Sequence, residues 1–154
     1  MRAMTSHVQL SQRAVAAVRH RLHVAAPLGR TAMLCVFGER TRNVAVRVSR
    51  PRWGTKHITA HSALTGRRKQ YHYRYRYCHW NLHSHGKPVT VQPDVWVLIV
   101  AGRPLREAIV VPAAVVGHIK AVDWILTGTH PRSRLAPYVG RWDVLSGAEV
   151  RRVA

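Results

Sequence analysis

Acidic residues are scarce in this chain. Of 154 residues, 6 are Asp or Glu against 25 Lys or Arg, giving a formal net charge of +19 with the 11 His counted neutral. The six acids are Glu39, Asp94, Glu107, Asp123, Asp143 and Glu149, and no two are spaced to share one face of one element. Metal-dependent phosphodiester hydrolysis needs carboxylates to hold its cation, so that chemistry has few donors here. Cysteine is scarce too: Cys35 and Cys78 allow one disulfide at most and exclude a disulfide scaffold. Cys35 lies in an apolar run and reads as a small core residue. Cys-x-x-Cys, His-Glu-x-x-His and Gly-x-Ser-x-Gly are all missing, which removes the usual signatures of zinc modules, zinc proteases and serine hydrolases. No apolar run nears the roughly 20 residues of a spanning helix, and Met1 to Leu10 lacks the apolar segment of a secretion signal. A cytoplasmic setting is expected, with nucleoid association as one form of it, and no membrane partner.

What is present is cationic and extended. Leu10 to Val15 suggests a helix opening, with Ser11 as cap and Val15, Val18 and Leu22 as its apolar stripe to about His23. Thr31–Phe37 and Asn43–Ser49 read as an antiparallel hairpin about a polar turn at 38–42. Val44, Val46 and Val48 would share one face and Ala45, Arg47 and Ser49 the other. Residues 51–69 read as a basic loop with a short strand near Ile58. Gln70–Cys78 alternates Tyr71, Tyr73, Tyr75 and Tyr77 with His72, Arg74 and Arg76, which puts a tyrosine row and a cationic row on opposite faces of a strand. A His-rich loop to Pro93 follows, then strands over 94–101, 107–111 and 120–127, with a short helix at 112–116 and a helical turn over 134–139. The expected class is α+β, one domain built on a mostly antiparallel or mixed central sheet. Its expected limits are a flexible stretch 1–10, a core 11–145 and a tail 146–154.

Between Gly38 and Trp80 stand eleven basic residues: Arg40, Arg42, Arg47, Arg50, Arg52, Lys56, Arg67, Arg68, Lys69, Arg74 and Arg76. They meet one acid, Glu39. Charge runs are ordinarily solvated surface, but such surfaces mix signs, and this one does not. Self-repulsion of this size favours a polyanionic partner, and arginine forks match phosphate oxygens. Nucleic acid is therefore the expected partner, DNA ahead of RNA, with all of these except Lys56 as its contacts and Arg47, Arg74 and Arg76 as the leading face. Among the tryptophans, Trp96, Trp124 and Trp142 suit the core or its rim, whereas Trp53 and Trp80 lie amid the basic stretch and suit wetter positions. Cys78, His79, His83 and His85 form an alternative zinc-compatible group within eight residues, without a second pair at finger spacing.

The order of elements resembles the small PD-(D/E)XK, or restriction-endonuclease-like, proteins found among intron-associated and mobile-element nucleases. The resemblance covers about Gln12 to Leu126. It rests on a helix, the hairpin ending in 44–48, the aromatic-basic strand, Asn81–Lys87, Pro93–Val97 and Ala108–Pro112. It implies a first acid opening the first hairpin strand and a Glu/Gln-x-Lys on the second. Those positions fall near Thr31 or Ala32 and on Ala45, Val46 and Arg47. Alanine stands where the carboxylate belongs, and arginine replaces the lysine. The resemblance thus implies a nuclease-like protein that binds nucleic acid without its metal ligands and needs no cofactor. If cleavage survives, Glu39, Arg47 and Asp94 are the candidate catalytic residues and Mg2+ the cofactor. A basic structural component of a nucleoprotein complex is the third reading.

Overall fold

The computed structural model describes residues 6–82, 92–127 and 133–146. The first helix, α1 (His7–Arg21), begins earlier than Ser11. Ser6 caps it instead: its Oγ accepts from the Gln9 N–H at 3.2 Å, and Gln9 Oε1 accepts from the Ser6 N–H at 3.0 Å. This reciprocal box satisfies two of the helix's orphan donors, which Ser11, already inside the first turns, does not do. Ala14, Val15 and Val18 form the buried stripe, and Arg19, His20 and Arg21 sit favourably at the negative end of the helix dipole.

Among the described residues eight strands follow: β1 (Val24–Pro27), β2 (Ala32–Phe37), β3 (Arg40–Ser49), β4 (Arg52–His61), β5 (Arg68–Asn81), β6 (Val95–Val100), β7 (Ile109–Pro112) and β8 (Ala121–Ile125). A four-residue helix, α2 (Ala113–Val116), joins the last two. Strand β1, between the end of the expected helix at about His23 and the expected hairpin from Thr31, pairs with β2. The β2–β3 turn is tighter than expected, with Phe37 paired to Arg40 across Gly38 and Glu39, and Gly38 at φ +60 supplies the left-handed conformation the turn requires.

The strands form two sheets, one ordered β1-β2-β3-β6-β7 and one ordered β4-β5-β8. In the first, β3 and β6 run parallel, and the other pairs are antiparallel. The α+β class with a mixed central sheet therefore holds. One face of the large sheet, with Met33, Val44, Val46, Val97 and Val110, packs on α1. The other, with Ala45, Trp96, Leu98 and Val111, packs on Cys78 and Trp80 of the small sheet. Every residue of β6 is buried. A strand covered on both faces reads as a continuous apolar run rather than an alternating one, which is the pattern of residues 95–100. Full burial of each such Val or Leu contributes about 1.5–3 kcal/mol.

Polar ties align the sheets. The Ser49 Oγ accepts from the His79 N–H at 3.2 Å, Trp80 Nε1 donates to the Ile99 carbonyl at 3.1 Å, and Arg47 Nε donates to the Asn81 carbonyl at 3.1 Å. Trp80 is thus 1% exposed, contrary to its expected wetter place, because β5 turns that face into the core after Cys78.

A candidate nucleic-acid interface

The largest departure from the sequence expectation is residues 51–69. In place of a loop with a short strand near Ile58, Arg52–His61 form a ten-residue strand, and β4 pairs with β5 in unbroken antiparallel register from Arg52↔Tyr77 to His61↔Arg68. At about 3.4 Å per residue this is a ribbon about 30 Å long. Strand β8 supports β5 only from Tyr77 to Asn81, so most of the ribbon has two strands and solvent on both faces. Its tip closes with Gly66 at φ +66, its N–H bonded to the Ser62 carbonyl at 2.9 Å.

Period-two geometry sorts the ribbon's side chains. The face continuous with Cys78 and Trp80 carries Trp53, Thr55, His57, Thr59 and His61 opposite Arg76, Arg74, His72, Gln70 and Arg68. Arg74 Cζ lies 4.7 Å and Arg76 Cζ 5.5 Å from the Trp53 ring centroid, and the His57 and His72 rings meet edge to face at 4.4 Å. The opposite face carries the tyrosine row with Arg52, Gly54, Lys56 and Ile58. Tyr71 and Tyr73 stand open, while Tyr75 lies across Gly54 and leans on Tyr77 at 5.6 Å. Lys69 adds a cation 5.3 Å from the Tyr71 ring.

The basic residues fall into separate places. Arg67, Arg68 and Lys69 mark the tip, Arg74 and Arg76 the middle and root. Arg52, Arg76 and Arg103 lie close enough to Cys78 for their charges to favour its thiolate, although burial dominates and pushes that thiol's pKa up. Arg103 escaped notice in the sequence, where it belongs to a plain turn. It reaches the root because parallel pairing sets Ser49 beside Val100, so the turn after β6 meets the exit of β3. Arg50 leaves β3 at the same point. Arg40 and Arg42 sit at the far end of the β2–β3 hairpin, where Arg42 has a buried Nε without a partner.

Arg47 does not join Arg74 and Arg76. It stands between the two sheets, where Nη1 donates to Thr31 Oγ1 at 2.7 Å and to the Val46 carbonyl at 3.0 Å, with the guanidinium 5.1 Å from the Trp96 centroid. Burial lowers its pKa. The resemblance implies carboxylates near Thr31 or Ala32 and at Ala45; Ala32 and Ala45 are directly paired across β2 and β3, and the Thr31 hydroxyl is taken by Arg47. Two methyls and a guanidinium do not fit Mg2+, which takes oxygen ligands. Glu39, exposed in the hairpin turn, is about 25 Å along the strand from Arg47. Asp94 Oδ2 accepts from the Asn43 N–H at 2.8 Å, anchoring the start of β6 about 13 Å along the strand from Arg47. Among the described residues no three His, Cys, Asp or Glu side chains gather in a way that could hold a metal ion. Cys78 faces the core, whereas His79 on the other face pairs through Nδ1 with Asp123 at 2.5 Å and through Nε2 with Asn81 Oδ1 at 3.1 Å. His83 and His85 lie outside the described residues.

No known family model matches the chain, and no curated protein does. One solved structure is similar over nearly its whole length, described as that of a bacterial homing endonuclease, I-Ssp6803I. The TM-score is 0.56 at 17% sequence identity, covering 96% of this chain and 94% of that one. The chain has a nuclease-like fold. At that identity the likeness speaks to architecture alone. No helix among the described residues is long and apolar enough to cross a membrane.

Proposed function

We propose that the protein binds nucleic acid, DNA in preference to RNA, through the cationic ribbon of β4 and β5 and the arginines at its root, on a nuclease-like framework without a metal-holding carboxylate pair. The observation that carries this reading is the ribbon itself. It is a projecting, two-sided element with Lys56, Arg68, Lys69, Arg74 and Arg76, and among the described residues none of them has an ion pair with a carboxylate. Two-stranded ribbons fit the major groove of duplex DNA, and arginine or lysine there neutralises phosphates or meets base edges. The homing endonuclease neighbour supports a nucleic-acid partner by analogy of fold. Ala32 and Ala45 support binding without cutting, and Arg47, tied to three oxygens, supports a framework role over a catalytic one.

Binding should weaken steeply with salt, with a log–log slope of about −0.9 per phosphate neutralised on duplex DNA. Incubating plasmid with Mg2+ or Mn2+ should leave it intact at protein concentrations that shift it completely. Nicking that persists in protein purified to constant specific activity would establish the endonuclease reading with ligands placed elsewhere.

A further inference from the structure

The ribbon's root carries a tryptophan that the core does not use. Trp53 is 57% exposed, one residue into β4, on the face that runs directly into buried Cys78 and Trp80. Trp80 shows what this face does with an indole it can cover: the ring is enclosed and its N–H is bonded to a main-chain carbonyl. Trp53, across from Arg76, stays outside. Its ring is lodged against Arg74 and Arg76, with Cζ atoms 4.7 and 5.5 Å from its centroid. Guanidinium groups against an indole hold it by its quadrupole and fix its orientation. A flat, fixed, half-open aromatic surface edged by Arg74 and Arg76, neither of which has a carboxylate partner among the described residues, is complementary to one ligand chemistry, a planar ring with a phosphate attached.

We propose that Trp53 is a stacking site for an unpaired nucleobase, whose flanking phosphates are met by Arg74 and Arg76. The idea rests on the nucleic-acid reading above and goes further, because it sets a preference for substrates with a single-stranded or gapped segment. In an uninterrupted duplex both faces of every base are already stacked on neighbours, so the indole has nothing to stack on. A base at a gap, an overhang or a single strand presents a free face to an aromatic ring. The tyrosine row is on the other side of the ribbon and does not share this site.

The test compares a fluorescein-labelled single-stranded DNA oligonucleotide with the matching duplex at one salt concentration, for the wild-type chain, Trp53→Ala, Trp53→Phe and Arg68→Ala. Trp53→Ala should weaken single-strand binding about tenfold, in line with one lost base stack, and change duplex binding less than twofold. Arg68→Ala should weaken both by similar factors. Trp53→Phe keeps an aromatic face and should retain most of the affinity while losing a saturable quench of tryptophan fluorescence seen in the wild type. That quench difference decides the matter even if the alanine variant does not fold. Equal losses on both substrates, or a quench unchanged in Trp53→Phe, would overturn the stacking site and leave the ribbon reading standing. Failure of the wild type to bind either substrate at low salt would overturn both.

Discussion

Two tryptophans on one face of the small sheet, Trp80 and Trp53, have opposite fates because the body of the protein ends between them. At Trp80 the large sheet lies behind the ring, and replacing it with Phe deletes the bond to the Ile99 carbonyl. That should lower unfolding free energy by about 1–3 kcal/mol in a urea titration. Arg47 belongs to the same scale. Its guanidinium links β3 to Thr31 and Asn81, so Arg47→Ala should destabilise the fold by about 1–3 kcal/mol. Under conditions where both variants are folded, it should weaken nucleic-acid binding less than Arg76→Ala does. The sequence marked Arg47 as a cation over a phosphate path; what it could not carry is that β5 returns to cover that face. Buried Cys35 supplies a pH dependence. Burial pushes its thiol up to about 11 from 9.0, so the folded chain holds that proton more tightly than the unfolded chain does. The contribution is complete below pH 9.0 and is lost as pH rises toward about 11. Urea midpoints should fall across that window in the wild type, and by less in Cys35→Ala compared with its own value at pH 8.

At the scale of elements, burial decided what the sequence could disclose. Strands β2, β3, β6 and β7 were legible because the core imposes apolar runs or alternation on them. Strand β4 was not. Both faces of the ribbon meet water, so nothing forces its residues to alternate, and Arg52–His61 looks like a loop until its partner is known. The regular Tyr and Arg alternation of β5 did announce a strand, but not that Tyr71 and Tyr73 would face solvent rather than a core. At Gly54 a Cβ would meet the Tyr75 ring carbon at 2.6 Å, so the ring lies flat over the glycine. Gly54→Ala should push the end of the Tyr75 ring aside at a cost below about 1 kcal/mol, because the crowded atoms are the far end of a part-exposed side chain. Amide exchange across residues 52–61 should change little relative to β6.

For the molecule as a whole, the net charge of +19 is repulsion that folding has to overcome. The described ion pairs, His79 with Asp123 and Arg141 with Asp143, relieve little of it. Melting temperature should therefore rise with added salt, and rise further with a polyanion at matched ionic strength. The architecture was readable in outline from the order of elements, as the likeness to the homing endonuclease structure shows. The place of the cations was not, because the turn that carries Arg103 is set beside the exit of β3 by pairing between strands far apart in the chain. The ribbon as the gripping element is tested most directly by the salt dependence of duplex DNA affinity for the wild type beside Arg74→Ala/Arg76→Ala. The wild type should lose affinity steeply with salt, and the double variant should bind more weakly with a slope shallower by about 1 to 2 units. A flat wild-type titration, or a double variant indistinguishable from it in both affinity and slope, would contradict the ribbon's role.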